Sequence, residues 1–312
     1  MSALKNNKSP RLIRKLLLFV RRASLPGFDK VPIADVIGFF IDGLKNGDMA
    51  TRASSVAYNF FLAFFPALLM LVSMIPYIPI DNLQEELMTT LRDIMPINVF
   101  HTIRDTVEEI VTRKRTDLLS FGFIAALIFA TNGISALIRA FNTSYHTILT
   151  RKWIDQQLVS VLLVMIFCFL VTIALTLVIF SGTFLNYLEN EEIITNRFLL
   201  ALLNNGKWLI ILTFLFLGIS FLFYLAPSRR QKFRFISAGA SLATVIMVVT
   251  SLGFSAFINN FGQYNKLYGS IGTMIAFLIW IYFNSAVLLI GFELNASIKN
   301  ARLQKKSIRE EK

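Results

Sequence analysis

Six stretches of this chain, at 57–80, 118–138, 158–185, 208–225, 235–258 and 271–292, contain no Asp, Glu, Lys or Arg at all. A hydrocarbon layer roughly 30 Å thick is crossed by about 20 helical residues at 1.5 Å each, so every run is long enough to span it. Their hydrophobicity is continuous, whereas the strands of an outer-membrane barrel alternate over about ten residues. The pattern predicts an all-α, polytopic membrane protein with six transmembrane helices. The run 208–225 is the shortest, and Gly206 and Ala226 are available to extend it. Only 16% of residues are charged, against roughly a quarter in soluble domains. A soluble enzyme and a disordered chain are thereby excluded. Cys168 is the single cysteine, which excludes an intramolecular disulfide scaffold.

Orientation follows from the loops. Of the 31 Lys and Arg, 23 fall on the side that carries both termini and 8 on the other. The excess of cations on the cytoplasmic side predicts that both termini are cytoplasmic in a multi-pass protein of the inner membrane. The net charge of +12 is then a topological signal and a grip on anionic lipid head groups at the cytoplasmic face. Nucleic acid is not an expected partner, because no aromatic-interleaved basic patch accompanies the charge.

Three segments result: a basic cytoplasmic stretch at 1–56, a membrane domain at 57–294 and a basic cytoplasmic tail at 295–312. The apolar stretch Leu16 to Val20 is too short for a cleaved signal. Ile33, Val36, Ile37, Phe40, Ile41 and Leu44 recur at helical spacing. They predict an amphipathic helix, either lying along the cytoplasmic interface or packed against the bundle. In the outer loop 81–117, Leu87, Leu91, Ile94 and Met95, then Ile103, Val107 and Ile110, predict two short helices broken at Pro96.

Catalytic chemistry is not expected. His101 and His146 are the only histidines and fall on opposite sides of the predicted membrane, so they cannot share an ion. No Gly-rich phosphate loop and no nucleophile elbow occurs. Neither a metal nor a cofactor is predicted.

Polar residues at membrane depth are costly unless paired, and so point to function. In the second run Asn132, Ser135 and Arg139 form a stripe that leads to Asn142. In the last run Tyr282, Ser285 and Glu293 share one face, while Asn284, nine residues before Glu293, lies on the opposite one at 100° per residue. A helix with two polar faces belongs inside a bundle. Glu293 is expected to meet either Arg139 or Arg52. Pro66 and Pro76 each remove a backbone hydrogen bond from the first span and predict kinks there. Ser120, Gly122, Ala126, Ser135 and Ala136 recur as Ser270, Gly272, Ala276, Ser285 and Ala286. Small residues of this kind allow close helix contact.

Ala53 to Tyr58 running to Phe65-Pro66, Phe141-Asn142 with Tyr145, Tyr268-Gly269-Ser270-Ile271-Gly272, Trp280-Ile281-Tyr282 and Gly291-Phe292-Glu293-Leu294-Asn295 together resemble the YihY/BrkB family of bacterial inner-membrane proteins. Tyr224, Pro227, Arg230, Arg234, Gly239 and Ala240 add a weaker match. Two positions depart from the pattern: Ala63 replaces a usual serine and Phe292 a usual alanine. The resemblance implies six spans with both termini inside, as the charges do. It also brings an old ribonuclease label that the residue inventory does not support. What it implies about function is the handling or translocation of a lipid or other amphiphile, with Asn132, Ser135, Arg139, Asn142, Tyr282, Asn284 and Glu293 along the route. An accessory protein of envelope assembly, acting as a homo-oligomer or with an envelope partner, is the alternative.

Overall fold

A computed structural model describes residues 27–28, 31–46, 48–77, 113–143, 151–190, 197–228, 236–259 and 270–310, with positions 85, 88, 89, 104 and 108. Among the described residues there is no strand. The helices are α1 (Ile33–Asn46), α2 (Met49–Met74), α3 (Thr116–Thr143), α4 (Trp153–Asn190), α5 (Arg197–Leu225), α6 (Ala238–Asn259) and α7 (Ser270–Glu310). Six of them, α2 to α7, are long and apolar enough to cross a bilayer, and each predicted run falls on one.

The helices overrun the uncharged stretches. α2 begins at Met49, so Arg52 is already helical, and α7 continues for 41 residues to Glu310. The boundary drawn at 294/295 is therefore no break in the backbone. Lack of charge marks where hydrocarbon surrounds the chain, but a helix persists into the interface until something stops it. After Gly291 no Gly or Pro interrupts α7, and an exposed Lys306–Glu310 pair at 3.3 Å supports its last turn. Pro66 lies inside α2, and Pro76 falls in a single 3-10 turn, Ile75–Tyr77, that ends the span. Between the first two spans, Glu85, Met88 and Thr89 on one side of Pro96, and Arg104 and Glu108 on the other, are helical. Thr89 Oγ1 donates to the Glu85 carbonyl at 2.9 Å, and Arg104 pairs with Glu108 at 3.5 Å. The rest of 78–112 lies outside the described residues, as do 1–26.

Each spanning helix packs on the next in the chain, and α7 returns to α2, so the six form a closed ring. α7 also touches α3, and α1 leans on α7. One end of the ring holds the segments that lead to the two termini and is called the terminal end below. The core is lopsided toward it. Val56 on α2, Leu137, Ile138 and Phe141 on α3, Leu222 on α5 and Leu289 and Phe292 on α7 are all buried near that end. Phe292 stacks on Phe141 at 4.1 Å between ring centroids, and Phe223 meets both edge-on at 5.6 Å. The three rings join α3, α5 and α7 across the middle of the ring of helices. Toward the opposite end large apolar side chains such as Leu71, Phe121 and Leu209 are exposed. In lipid this costs nothing, since acyl tails are as apolar as leucine; helices associate through packing and interhelical hydrogen bonds instead.

α1 packs on α7. Asp48, in the left-handed region at φ 50°, precedes the first residue of α2 without a side-chain bond to it, and its turn lets the chain fold back so that Val36 and Gly43 are buried. Phe28, Val31 and Val36 form a small second core with Ile298 and Ala301 of α7. Ile37 and Ile41 remain exposed on the outer face of α1, so packing and an apolar edge coexist in this helix.

Candidate functional site

The polar residues gather at the terminal end, where they tie helices together. Arg52 and Glu293 are both buried and interact electrostatically between α2 and α7. Arg52 Nη2 also donates to the Ala140 carbonyl of α3. α1 closes over this pair: a Cβ at Gly43 would collide with the Glu293 carboxylate, so a larger residue there would push that side chain aside. Of the two partners expected for Glu293, Arg52 is the one the fold supplies. Arg139 is exposed on the outer face of α3. Taking one member of such a buried pair away strands the other charge at a cost of about 3–5 kcal/mol.

The GFELN stretch of α7 has two further jobs. Gly291 lets α7 press against α6: a Cβ there would lie 2.6 Å from Ala243 Cβ and 2.7 Å from the Gly239 carbonyl. Asn295 caps α6 from outside, with Oδ1 accepting the Gly239 N–H at 2.8 Å and Nδ2 donating to Ser237 Oγ at 3.0 Å. Ser237 Oγ in turn accepts the Ala240 N–H at 3.1 Å. Two of the otherwise orphaned donors at the start of α6 are thus satisfied.

Similar ties hold the neighbouring helices. Asn142 Oδ1 accepts the Ser228 N–H at 3.0 Å. Half-buried Arg151 donates to the carbonyls of Leu225, Ala226 and Pro227 at 2.7–3.1 Å, closing the C-terminal end of α5. Buried Ser135 Oγ lies 2.9 Å from Ser160 Oγ of α4, and Gln156 Nε2 donates to the Ser135 carbonyl at 3.3 Å.

The seven expected route residues therefore divide. Ser135, Asn142 and Glu293 are engaged between helices. Asn132 and Arg139 are exposed on the surface of α3, away from the ring interior. Asn284 is half-buried and back-bonds within α7 to the Trp280 carbonyl at 2.8 Å, and Tyr282 is half-buried beside Phe283. Of the family-motif positions, Gly272 is buried and Tyr58 exposed; Trp280 lies alongside Phe277, its ring centroid 6.1 Å away. Tyr268 and Gly269 lie outside the described residues. Among the described residues no group of three or more His, Cys, Asp or Glu could hold a metal ion.

Sequence reasoning missed Arg151, Gln156 and Ser160. The signal was there: Gln156 and Ser160 lie four apart at the mouth of the third run, a polar stripe of the kind followed in the second. Counting that run from Leu158 set the glutamine aside.

A second feature has no polar residue at all. Between α4 and α5, backed by Met247 of α6 and Leu288 of α7, is an apolar cleft of about 520 Å³. Its rim is exposed, with Val171 and Leu175 each at 57%, whereas its floor is buried, with Ile219 at 4% and Leu222 at 2%. It is thus open along its rim and closed at its floor. Gly218 helps form it: a Cβ there would lie 3.2 Å from the Phe167 ring.

The sequence has known relatives. It is 28% identical over 246 residues to the putative ribonuclease-like protein YfkH of Bacillus subtilis, covering 79% of this chain and 88% of that one. It is 23% identical over 289 residues to a UPF0761 membrane protein of Alteromonas mediterranea, covering 88% and 91%. A UPF0761 membrane protein of Idiomarina loihiensis is 25% identical over 225 residues, covering 70% and 76%. No solved structure matches the chain. The profile of the family described as virulence factor BrkB matches residues 40–312, which takes in every spanning helix and the whole polar terminal end, and the chain is an integral membrane protein of that family.

Proposed function

We propose that this protein takes a lipid or other amphiphile of the cell envelope from the bilayer and carries it between leaflets of the inner membrane, with its terminal end in the cytoplasm and without a chemical step. The observation that carries this reading is the cleft between α4 and α5. It is wholly apolar, and it leads from an exposed rim to a buried floor. A water-soluble substrate would gain nothing from such walls, whereas an acyl chain exchanges one hydrocarbon environment for another. The cationic terminal end suits anionic head groups on its own side, at about 1 kcal/mol per juxtamembrane cation.

A second reading is supported by a different observation. Ser135, Asn142, Arg151 and Asn295 all serve as ties between helices, which is what an accessory protein of envelope assembly needs from its polar residues.

Purified protein in liposomes separates the two. The lipid reading expects faster movement of head-labelled phospholipid from the inner to the outer leaflet than in protein-free vesicles. Equal rates across several head groups, with and without protein, would leave the accessory reading in possession.

A further inference from the structure

Beyond one end of the cleft, its mouth, the rows of lining residues lead on to polar ones. On α5 the lining residues Gly218, Phe214 and Ile211 step away from the terminal end by about one turn each, and Lys207 continues the row four residues beyond Ile211 on the same face. Lys207 is half-buried and makes no hydrogen bond or ion pair among the described residues. Trp208 beside it is exposed, and a tryptophan at the end of a span marks the level of the lipid head groups. On α4, half-buried Ser181 follows Val178, the outermost lining residue of that helix, and bonds to its carbonyl at 3.2 Å.

We infer that the cleft seats one acyl chain of a phospholipid drawn from the leaflet opposite the termini, with the lipid phosphate held at Lys207. The inference rests on the lipid reading above and narrows it to phosphate-bearing lipids and to one leaflet. The occupant follows from the surroundings. At this depth the only solvent is hydrocarbon, and every lining side chain is apolar, so a head group is kept out and a chain admitted. From Ile211 to Leu222 the groove runs about 16 Å along α5 at 1.5 Å per residue, so a chain lies lengthwise with its carboxyl end toward the mouth. There the lysine offers a compact cation on a flexible stem, which suits phosphate as a point charge. Helical side chains lean toward the N-terminus, which on α5 directs the lysine outward to the head-group level.

The test uses the full chain, purified in mild detergent and examined by native mass spectrometry with two added probes: phosphatidylglycerol and a diacylglycerol of the same chains. The wild type is expected to bind one phosphatidylglycerol more tightly than the diacylglycerol. Lys207→Gln should weaken phosphatidylglycerol binding about fivefold and leave the diacylglycerol unchanged, and Lys207→Arg should restore it. Ala174→Trp, which fills the cleft, should abolish both. If the tryptophan variant does not fold, Val171→Cys in a Cys168→Ala background, alkylated with a benzyl reagent after purification, blocks the cleft instead. A wild type that retains neither probe, a Lys207→Gln variant that binds phosphatidylglycerol as before, or a blocked cleft that binds undiminished would each overturn the assignment. Leaflet exchange is scored apart: binding without exchange removes translocation and leaves this site standing, whereas exchange without binding does the reverse.

Discussion

Replacing Gly239 by alanine sets two physical effects against each other within one helix. By propensity alone, glycine to alanine inside a helix gains up to about 1 kcal/mol. At Gly239, however, a Cβ would overlap the Gly291 carbonyl and lie 2.6 Å from Asn295 Cγ. Both obstacles are rigidly placed: one is the backbone of α7, the other a side chain fixed by two hydrogen bonds. α6 and α7 must move apart, at about 1–3 kcal/mol for overpacking, and the Asn295 cap is lost for about 1 kcal/mol more. After the propensity gain the net loss is about 1–3 kcal/mol. Gly253, fourteen residues along the same helix, has nothing within 4 Å of its missing Cβ, so Gly253→Ala is expected to be neutral or slightly stabilising. Thermal unfolding of the two variants in one detergent, followed by loss of the monodisperse peak, gives the comparison. Gly239→Ala at or above the wild-type midpoint would refute the close crossing of α6 and α7, whatever Gly253→Ala does.

Three further outcomes are expected. Arg52→Ala should destabilise by about 3–5 kcal/mol because it strands buried Glu293, while Arg139→Ala should stay within about 0.5 kcal/mol as a surface change; equal effects in the same unfolding assay would contradict the pairing. Phe292→Ala removes a fully buried ring stacked on Phe141 and should cost about 3–5 kcal/mol, and a filled, unperturbed core in that variant's structure would count against the three-ring cluster. In a double-mutant cycle, Ser135→Ala and Ser160→Ala should couple by about 0.6 kcal/mol, the usual size for such bonds between membrane helices; strict additivity would show that the hydroxyls do not bond.

The spans were legible because charge in hydrocarbon is so costly that its absence over eighteen residues is a nearly unambiguous mark. The same mark misplaces helix ends. It reports the surrounding solvent and not the backbone, so α2 was begun after Arg52 and α7 was stopped before Asn295. The close-contact role of small residues was readable in kind, and Gly122, whose missing Cβ would lie 3.0 Å from the Met70 backbone, shows it. Which residues meet was not readable. Arg139 and Arg52 are equally plausible neighbours for Glu293 until the order of helices around the ring is known, and only the return of α7 to α2 decides it. Asn132 looked like part of an inward stripe because period fixes relative faces and says nothing about which face turns inward. The cleft left no trace in the sequence, since its lining is indistinguishable in composition from any lipid-facing wall.

At 41 residues α7 is a stiff rod of roughly 60 Å, about twice the thickness of the oil it crosses. Its far end carries Arg302, Lys305 and Lys306, and α1 is strapped to its shaft just beyond the Glu293 level. A rod pivoting in the bilayer acts as a lever, so a small tilt among the spanning helices is magnified at the basic tip. Whatever grips or releases that tip, a charged lipid surface or another protein, has mechanical purchase on the ring of helices without having to enter the membrane.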